Sequence, residues 1–288
     1  MKGFVIVVAF VVPLSAQTFR ARVDTVQVTV TVTDANGRLI TGLAKDDFEV
    51  FEDGVQQPIT VFTNERVPVS LGVLLDASDS MRGQPMADAR AAVDRFVTGL
   101  LDGSDEAFVA AFNHQPRLVA PWTRPPSAVE GELAGVRPSG GTALFDSLVA
   151  SAGYFVRRLH PRAALVVVSD GVDTASDWTL RQAREVLQRA DPLVYAIAID
   201  PPDTPVSRRV NVEALREITA TSGGYTEVVT GSADLGPATA RIADELNQQY
   251  TLGYAPMKPP DGQWRGIRVR VKSGAYFTRA RRGYFASR

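Results

Sequence analysis

No cysteine occurs in the 288-residue chain, and histidine occurs only twice, at His114 and His160. The first absence excludes disulfides, thiolate zinc sites, iron–sulfur clusters and cysteine nucleophiles together. The second leaves a multi-histidine metal site short of ligands unless carboxylates complete it. Neither sign of charge is in excess: 31 Lys plus Arg stand against 32 Asp plus Glu, a net charge of -1. That balance argues against a general nucleic-acid binder, whose surface carries a large basic excess. The four lysines, Lys2, Lys45, Lys258 and Lys272, none of which follows a glycine, cannot form a P-loop. GxGxxG and GxSxG are missing too, which removes the dinucleotide fingerprint and the nucleophile elbow. Long apolar runs are also missing: the stretch from Gly3 to Leu14 falls well short of the ~20 residues that span a bilayer.

What is present is a globular composition, 45% hydrophobic and 22% charged, in a chain long enough for about two domains. Lys2, the apolar run and then Ser15, Ala16 and Gln17 read as a secretory signal peptide over residues 1–16, with a buried first strand as the plainer alternative. The expectation is an exported protein, periplasmic or extracellular, with no transmembrane segment after cleavage. The charge is also uneven. Residues 250–288 hold nine Lys or Arg and one acidic residue, so the two parts of the chain attract each other or serve separate partners.

Val26, Val28, Val30 and Val32 alternate with Gln27, Thr29, Thr31 and Thr33, the period of a half-buried strand, and Asn36-Gly37 suggests a hairpin after it. A second hairpin is expected between Phe48–Glu52 and Val55–Phe62 across Asp53-Gly54. After Pro68 the pattern changes to nearly continuous apolar runs, Val69–Leu75, Ala107–Phe112, Ala163–Ser169 and Leu193–Ile199, as in parallel strands covered on both faces. Helical spacing links Leu144, Leu148, Ala152, Phe155 and Leu159, and again Leu180, Ala183 and Leu187. Further helices are expected from Pro85 to about Leu101 and from about Asp234 to Gln249. Beyond them Ile267, Val269 and Val271 alternate with Arg268, Arg270 and Lys272, and a last strand runs from Tyr276 to about Phe285. The expected fold class is α/β: a doubly wound, mostly parallel sheet inserted into a small antiparallel β-sandwich-like domain built from both chain ends. The boundaries are 17–67 and 250–288 for the β domain and 68–249 for the inserted domain. Pro201–Pro205 and Pro256–Pro260 read as loops.

Directly after the first buried strand, Asp76, Ser78 and Ser80 place oxygen-bearing side chains at i, i+2 and i+4. Thr142 lies in Gly140-Gly141-Thr142 before a helix, and Asp170 ends another apolar strand. Loops at the carboxyl ends of strands meet at the topological switch point of an open α/β sheet. Carboxylates and hydroxyls without imidazole or sulfur suit Mg²⁺ or Mn²⁺.

On these residues the sequence resembles the von Willebrand factor A domain shared with integrin I domains. Its metal-ion-dependent adhesion site has the pattern DxSxS with a distant Thr and a distant Asp. The resemblance covers about Pro68 to Gln249 and implies a metal held by Asp76, Ser78, Ser80, Thr142 and Asp170. It further implies a partner whose Asp or Glu completes the coordination. Val30–Phe62, the Gln249–Tyr254 segment and Arg282-Gly283-Tyr284-Phe285 resemble an exported bacterial group related to von Willebrand factor A proteins. The family usually has Gly between the two serines. Asp79 stands there, either pointing to solvent or shifting selectivity toward Ca²⁺.

Other residues carry plainer readings. Asp146 and Asp173 are expected to make hydrogen bonds or face solvent rather than ligate, and Gly140 and Gly141 to let the backbone bring Thr142 close. His114 follows a strand, with approach to the metal face as its sharper reading, and His160 reads as a surface-loop residue. Trp122 and Trp178 are placed in loops, either flanking a binding surface or part-buried. The basic alternation from Arg265 to Lys272 is the solvated face of a strand or a surface for an anionic envelope polymer. The leading expectation is a divalent-cation-dependent protein-binding or adhesion module without catalysis. The rivals are a Mg²⁺-dependent hydrolase of an envelope phosphoester and an assembly factor of the von Willebrand factor A type.

Overall fold

The computed structural model describes residues 25–200 and 211–286. The expected signal peptide and the loop at Pro201–Pro205 lie outside the described residues. The strands β5 (Ser70–Asp76), β6 (Glu106–Phe112), β8 (Ala163–Ser169) and β9 (Leu193–Ile199) are buried at every position. With β7 (Pro116–Thr123) and β10 (Thr226–Val229) they form one sheet in the order β10-β9-β8-β5-β6-β7. All neighbours are parallel except β6 and β7. Because successive residues of a strand point to opposite faces, such a sheet needs helices on both sides.

On one face Leu71, Val73 and Leu75 pack with Val166, Val168 and Ile197 under α1 (Gln84–Arg95) and α5 (Ser232–Asn247). On the other, Leu74, Phe108, Leu165 and Val167 meet α2 (Leu144–Tyr154), α3 (Leu180–Ala190) and α4 (Val212–Ser222). A short π-helical turn, Phe96–Leu100, extends α1 to nearly the expected end. Leu159 departs from the expected helix face. The helix gives way to a 3₁₀ turn at Phe155–Arg157, which leaves Leu159 57% exposed.

Both chain ends build two four-stranded sheets. One is β13-β1-β11-β4, from β1 (Val26–Thr33), β4 (Ile59–Thr63), β11 (Tyr250–Tyr254) and β13 (Phe277–Ala280). The other is β14-β12-β2-β3, from β2 (Phe48–Glu52), β3 (Val55–Gln57), β12 (Trp264–Val271) and β14 (Gly283–Phe285). Their shared core holds Val28, Val30, Phe48, Val50, Tyr250, Leu252 and Val269. The fold class is therefore the expected one, a mostly parallel α/β sheet flanked by antiparallel elements.

Three local expectations are corrected. The turn at Asn36-Gly37 forms, but its returning arm makes one bridge, Thr33 to Leu39, and β1 pairs instead with β11 and β13. The second hairpin closes across Asp53 (φ 49°) and Gly54 (φ 83°), the positive-φ pair of a tight hairpin turn. Its second arm breaks at Pro58, which cannot donate to a ladder, so β4 continues in the other sheet. The last strand likewise divides into β13 and β14, one in each sheet.

Arg265 departs from the solvated face because it shares parity with Ile267 and Val269. It is buried, and its guanidinium meets the buried Glu52 at 3.3 Å. Glu52 also accepts the hydroxyls of Tyr254 (2.8 Å) and Tyr284 (2.9 Å). Arg268 and Arg270 are exposed as expected and lie over the Phe51 ring.

Close backbone approach explains Gly224, whose Cβ, if present, would lie 1.9 Å from the Val194 carbonyl oxygen. A main-chain atom cannot move aside as a side chain does. Gly224→Ala is expected to lower stability by at least about 2–3 kcal/mol, measured by urea unfolding. A loss below about 0.5 kcal/mol, the range of surface substitutions, would contradict the packing.

Candidate metal centre

The sheet changes direction between β5 and β8. From β5 the chain steps to β6 on one side and later returns to β8 on the other, so the loops after β5 and β8 open a crevice at their carboxyl ends. Leu75 pairs with Val168 in the ladder, which brings Asp76 opposite Ser169 and next to Asp170. Asp76 is fully buried. Its Oδ2 accepts the Ser169 hydroxyl at 2.6 Å, and its Oδ1 accepts the Ser78 N–H at 2.8 Å.

The hydroxyls of Ser78 and Ser80 lie 3.0 Å apart, Ser78 buried and Ser80 exposed at the rim. Asp170 is half-buried, and its Oδ1 accepts the Val172 N–H at 3.2 Å. Burial, with the Asp170 charge adding to it and the hydrogen bonds from Ser169 and Ser78 opposing it, pushes the Asp76 carboxyl up to about 6.

Thr142 comes to this crevice on a loop pinned from both sides. Its N–H donates to Thr174 Oγ1 at 2.9 Å, and its carbonyl accepts the N–H groups of Thr174 (2.8 Å) and Ala175 (3.1 Å). The Asp79 N–H donates to the Gly140 carbonyl at 3.0 Å, and the Ser139 N–H to the Ala77 carbonyl at 2.9 Å. These bonds lace the loop bearing Thr142 to the loop bearing Ser78 and Ser80. A Cβ on Gly141 would lie 3.0 Å from Thr174 Oγ1, and one on Gly140 3.2 Å from His114 Nδ1. Glycine at these positions thus keeps the loop close to its neighbours.

The donor set fits a hard divalent cation. It consists of two carboxylates and three hydroxyls, and among the described residues no Lys or Arg pairs with Asp76 or Asp170. A buried carboxylate beside a second one, without a cationic side chain, is an arrangement that a bound ion would stabilise.

Asp79 turns away: it is exposed and holds the Arg82 guanidinium at 2.7 Å. Asp173 accepts from the Phe145 N–H and the Ser176 hydroxyl, and Asp146 accepts the Trp178 N–H, so both serve loop geometry. His114 lies beside Gly140, and His160 Nε2 meets the Ser104 carbonyl. Trp122 sits in strand β7 rather than a loop, packed edge-to-face on Phe108 and Phe155, whereas Trp178 is 41% exposed in a loop. Sequence reading overlooked Ser169, which orients Asp76 and accepts the Gly171 N–H at 2.9 Å. Its place before Asp170 at a strand end was the available signal.

Residues 71–172 match the von Willebrand factor type A domain family. No curated protein matches the chain. Among solved structures, the chain is similar to an aerotolerance-related membrane protein from Bacteroides fragilis, with 20% identity, 62% of this chain and 98% of that one covered, and a TM-score of 0.53. It is similar to the vWF domain of the type V pili tip protein Mfa5 from Porphyromonas gingivalis, with 14% identity, coverage of 63% and 96%, and a TM-score of 0.52. A von Willebrand factor type A structure from Catenulispora acidiphila extends over 93% of this chain and 75% of that one, at 14% identity and a TM-score of 0.55. Together these support a von Willebrand factor A domain in this chain and show its fold.

Proposed function

We propose that the chain is an exported protein-binding module in which a divalent cation, Mg²⁺ before Mn²⁺ or Ca²⁺, bridges the crevice to an Asp or Glu of a protein partner. The observation that supports it is the buried, uncompensated Asp76 carboxylate surrounded by oxygen donors at the switch point. Ser78, Ser80 and Thr142 supply neutral oxygens, and Asp76 and Asp170 supply the charge. The five side chains leave open one of the six positions that Mg²⁺ prefers, and the partner's carboxylate would fill it. The surrounding loops, with Trp178 exposed among them, select the partner's shape. The bridging itself uses only these ligands and asks no catalysis of the chain. Residence of the vWF domain in a pilus tip protein, in one structure of similar fold, accords with an adhesive role. No helix among the described residues is long and apolar enough to cross a membrane.

The test uses the purified protein as bait for an envelope extract of its native cell, loaded in Mg²⁺ and eluted with EDTA. At least one protein is expected in the wild-type eluate and missing from that of an Asp76→Ala bait. Reconstituted with the purified partner, binding in EDTA should fall by about 100-fold or more, in line with the loss of a charge-assisted ligand. Equal recovery on both baits would overturn the proposal.

A further inference from the structure

A concave region lies at the seam between the end of α4 and strand β10 on one side and the antiparallel strands β12 and β13 on the other. A cleft of about 500 Å³ opens there, lined by Arg216, Arg268, Arg279, Arg281 and Arg282. No Asp or Glu lines it. Charge of one sign is thus concentrated in one concave place on a chain whose net charge is -1.

The arginines do not neutralise one another's environment. Among the described residues Arg216, Arg268 and Arg282 form no ion pair, and all three are exposed. Arg279 is paired with Glu245 and Arg281 with Asp191, yet Arg279 Nη1 and Arg281 Nε are buried without a hydrogen-bond partner. Thr219, Thr226 and Thr278 add hydroxyls to the lining.

The floor is rigid. Gly223 (φ +95°) lets α4 end directly against β13, where a Cβ would lie 2.6 Å from the Ala280 carbonyl carbon, and the Arg282 N–H donates to the Thr221 carbonyl at 3.1 Å. A site with fixed walls binds without first ordering its own backbone.

We infer that this cleft binds a phosphate-bearing polymer. The three unpaired guanidinium groups come from three separate elements, α4, β12 and the turn between β13 and β14. A planar carboxylate is satisfied by one guanidinium fork, whereas a tetrahedral phosphate presents oxygens to donors converging from several directions. A polymer, rather than one small ion, accounts for five arginines along an open cleft. The basic strand of the sequence reading is thereby redrawn. Arg265 drops out because it is buried on Glu52, and Arg216, far away in sequence, comes in.

The probe is inorganic polyphosphate carrying a fluorophore at one end, titrated with the intact protein and followed by anisotropy. The triple variant Arg216→Gln, Arg268→Gln, Arg282→Gln is compared with an equal-charge control, Arg38→Gln, Lys45→Gln, Lys272→Gln, whose three side chains are exposed elsewhere. The cleft variant is expected to bind at least about 10-fold more weakly, with a shallower salt dependence, and the control within about twofold of wild type. Arg282→Gln alone, with thermal midpoints for every variant, separates lost binding from lost folding. Absence of saturable binding, equal losses in the two triple variants, or binding to phosphatidylglycerol vesicles but not to polyphosphate would each overturn the assignment. Asp76→Ala leaves this binding unchanged if the two sites are separate.

Discussion

Asp76→Ala is expected to weaken Mg²⁺ binding by at least about 100-fold in calorimetric titration, because it removes one of the two charged ligands in the proposed set. Wild-type protein should gain thermal stability as Mg²⁺ is added, by about 2.7 kcal/mol when the free ion reaches 100 times the dissociation constant, and the variant should gain no more than about 0.4 kcal/mol over the same range. Ser169→Ala provides the graded case. Its hydroxyl holds Asp76 Oδ2 at 2.6 Å without being a proposed ligand, so a loss of about 10-fold is expected from disorder of the carboxylate alone. Asp79→Ala should leave affinity within about twofold, since that carboxylate faces Arg82 at the surface and such pairs contribute little. Mg²⁺ affinity of the Asp76→Ala protein equal to wild type would remove the ion from this crevice.

Glu245→Ala should be the most destabilising change outside the hydrophobic cores, about 3–5 kcal/mol by urea unfolding at neutral pH. Glu245 lies near the end of α5 and is almost fully buried. Its Oε1 accepts the hydroxyls of Thr31 on β1 and Tyr195 on β9, each at 2.9 Å, and its Oε2 is paired with Arg279 on β13. Gln249 reinforces the knot, donating to Thr31 Oγ1 and Tyr195 OH at 3.0 Å and accepting from Arg162. One carboxylate therefore joins the α/β sheet to a β-sandwich sheet. Removing it leaves a guanidinium and two hydroxyls without their acceptor, the costly half of a buried ion pair. The exposed Arg181–Glu185 pair on α3 is the comparison, and its removal should cost less than about 0.5 kcal/mol. Equal small losses at the two sites would show that the α5 network does not hold the parts together.

Legibility differed from element to element for physical reasons. The runs at β5, β6, β8 and β9 were readable because strands buried on both faces admit only apolar or small residues. β7 was not, because it is an antiparallel edge with Pro116 and Pro121 and mostly part-exposed residues, which carries no such signature. The four-residue β10 is too short to show a period. α4 was passed over although Asn211, whose side chain accepts the Ala214 N–H at 3.2 Å, is a usual helix-start residue. The pairing of β1 with β11 and β13 could not be read locally. Its strand period was plain, but hydrogen-bond partners more than 200 residues away leave no trace in the alternation itself.

The sequence by itself determined the chemical kind of the candidate centre and the class of the fold. With no cysteine and two histidines, the available ligands at the strand ends were hard oxygens, and the apolar periods separated a covered parallel sheet from alternating strands at both ends. Only the tertiary structure decided which side chains share a site. The β5–β8 register set Ser169 against Asp76, strand parity turned Arg265 inward onto Glu52, and the seam between α4 and β13 gathered arginines as distant in sequence as 216 and 282. The physical reason is that composition and period act along the chain, residue by residue. Burial, desolvation and charge convergence depend on distances through space, which the packing of the two halves alone creates.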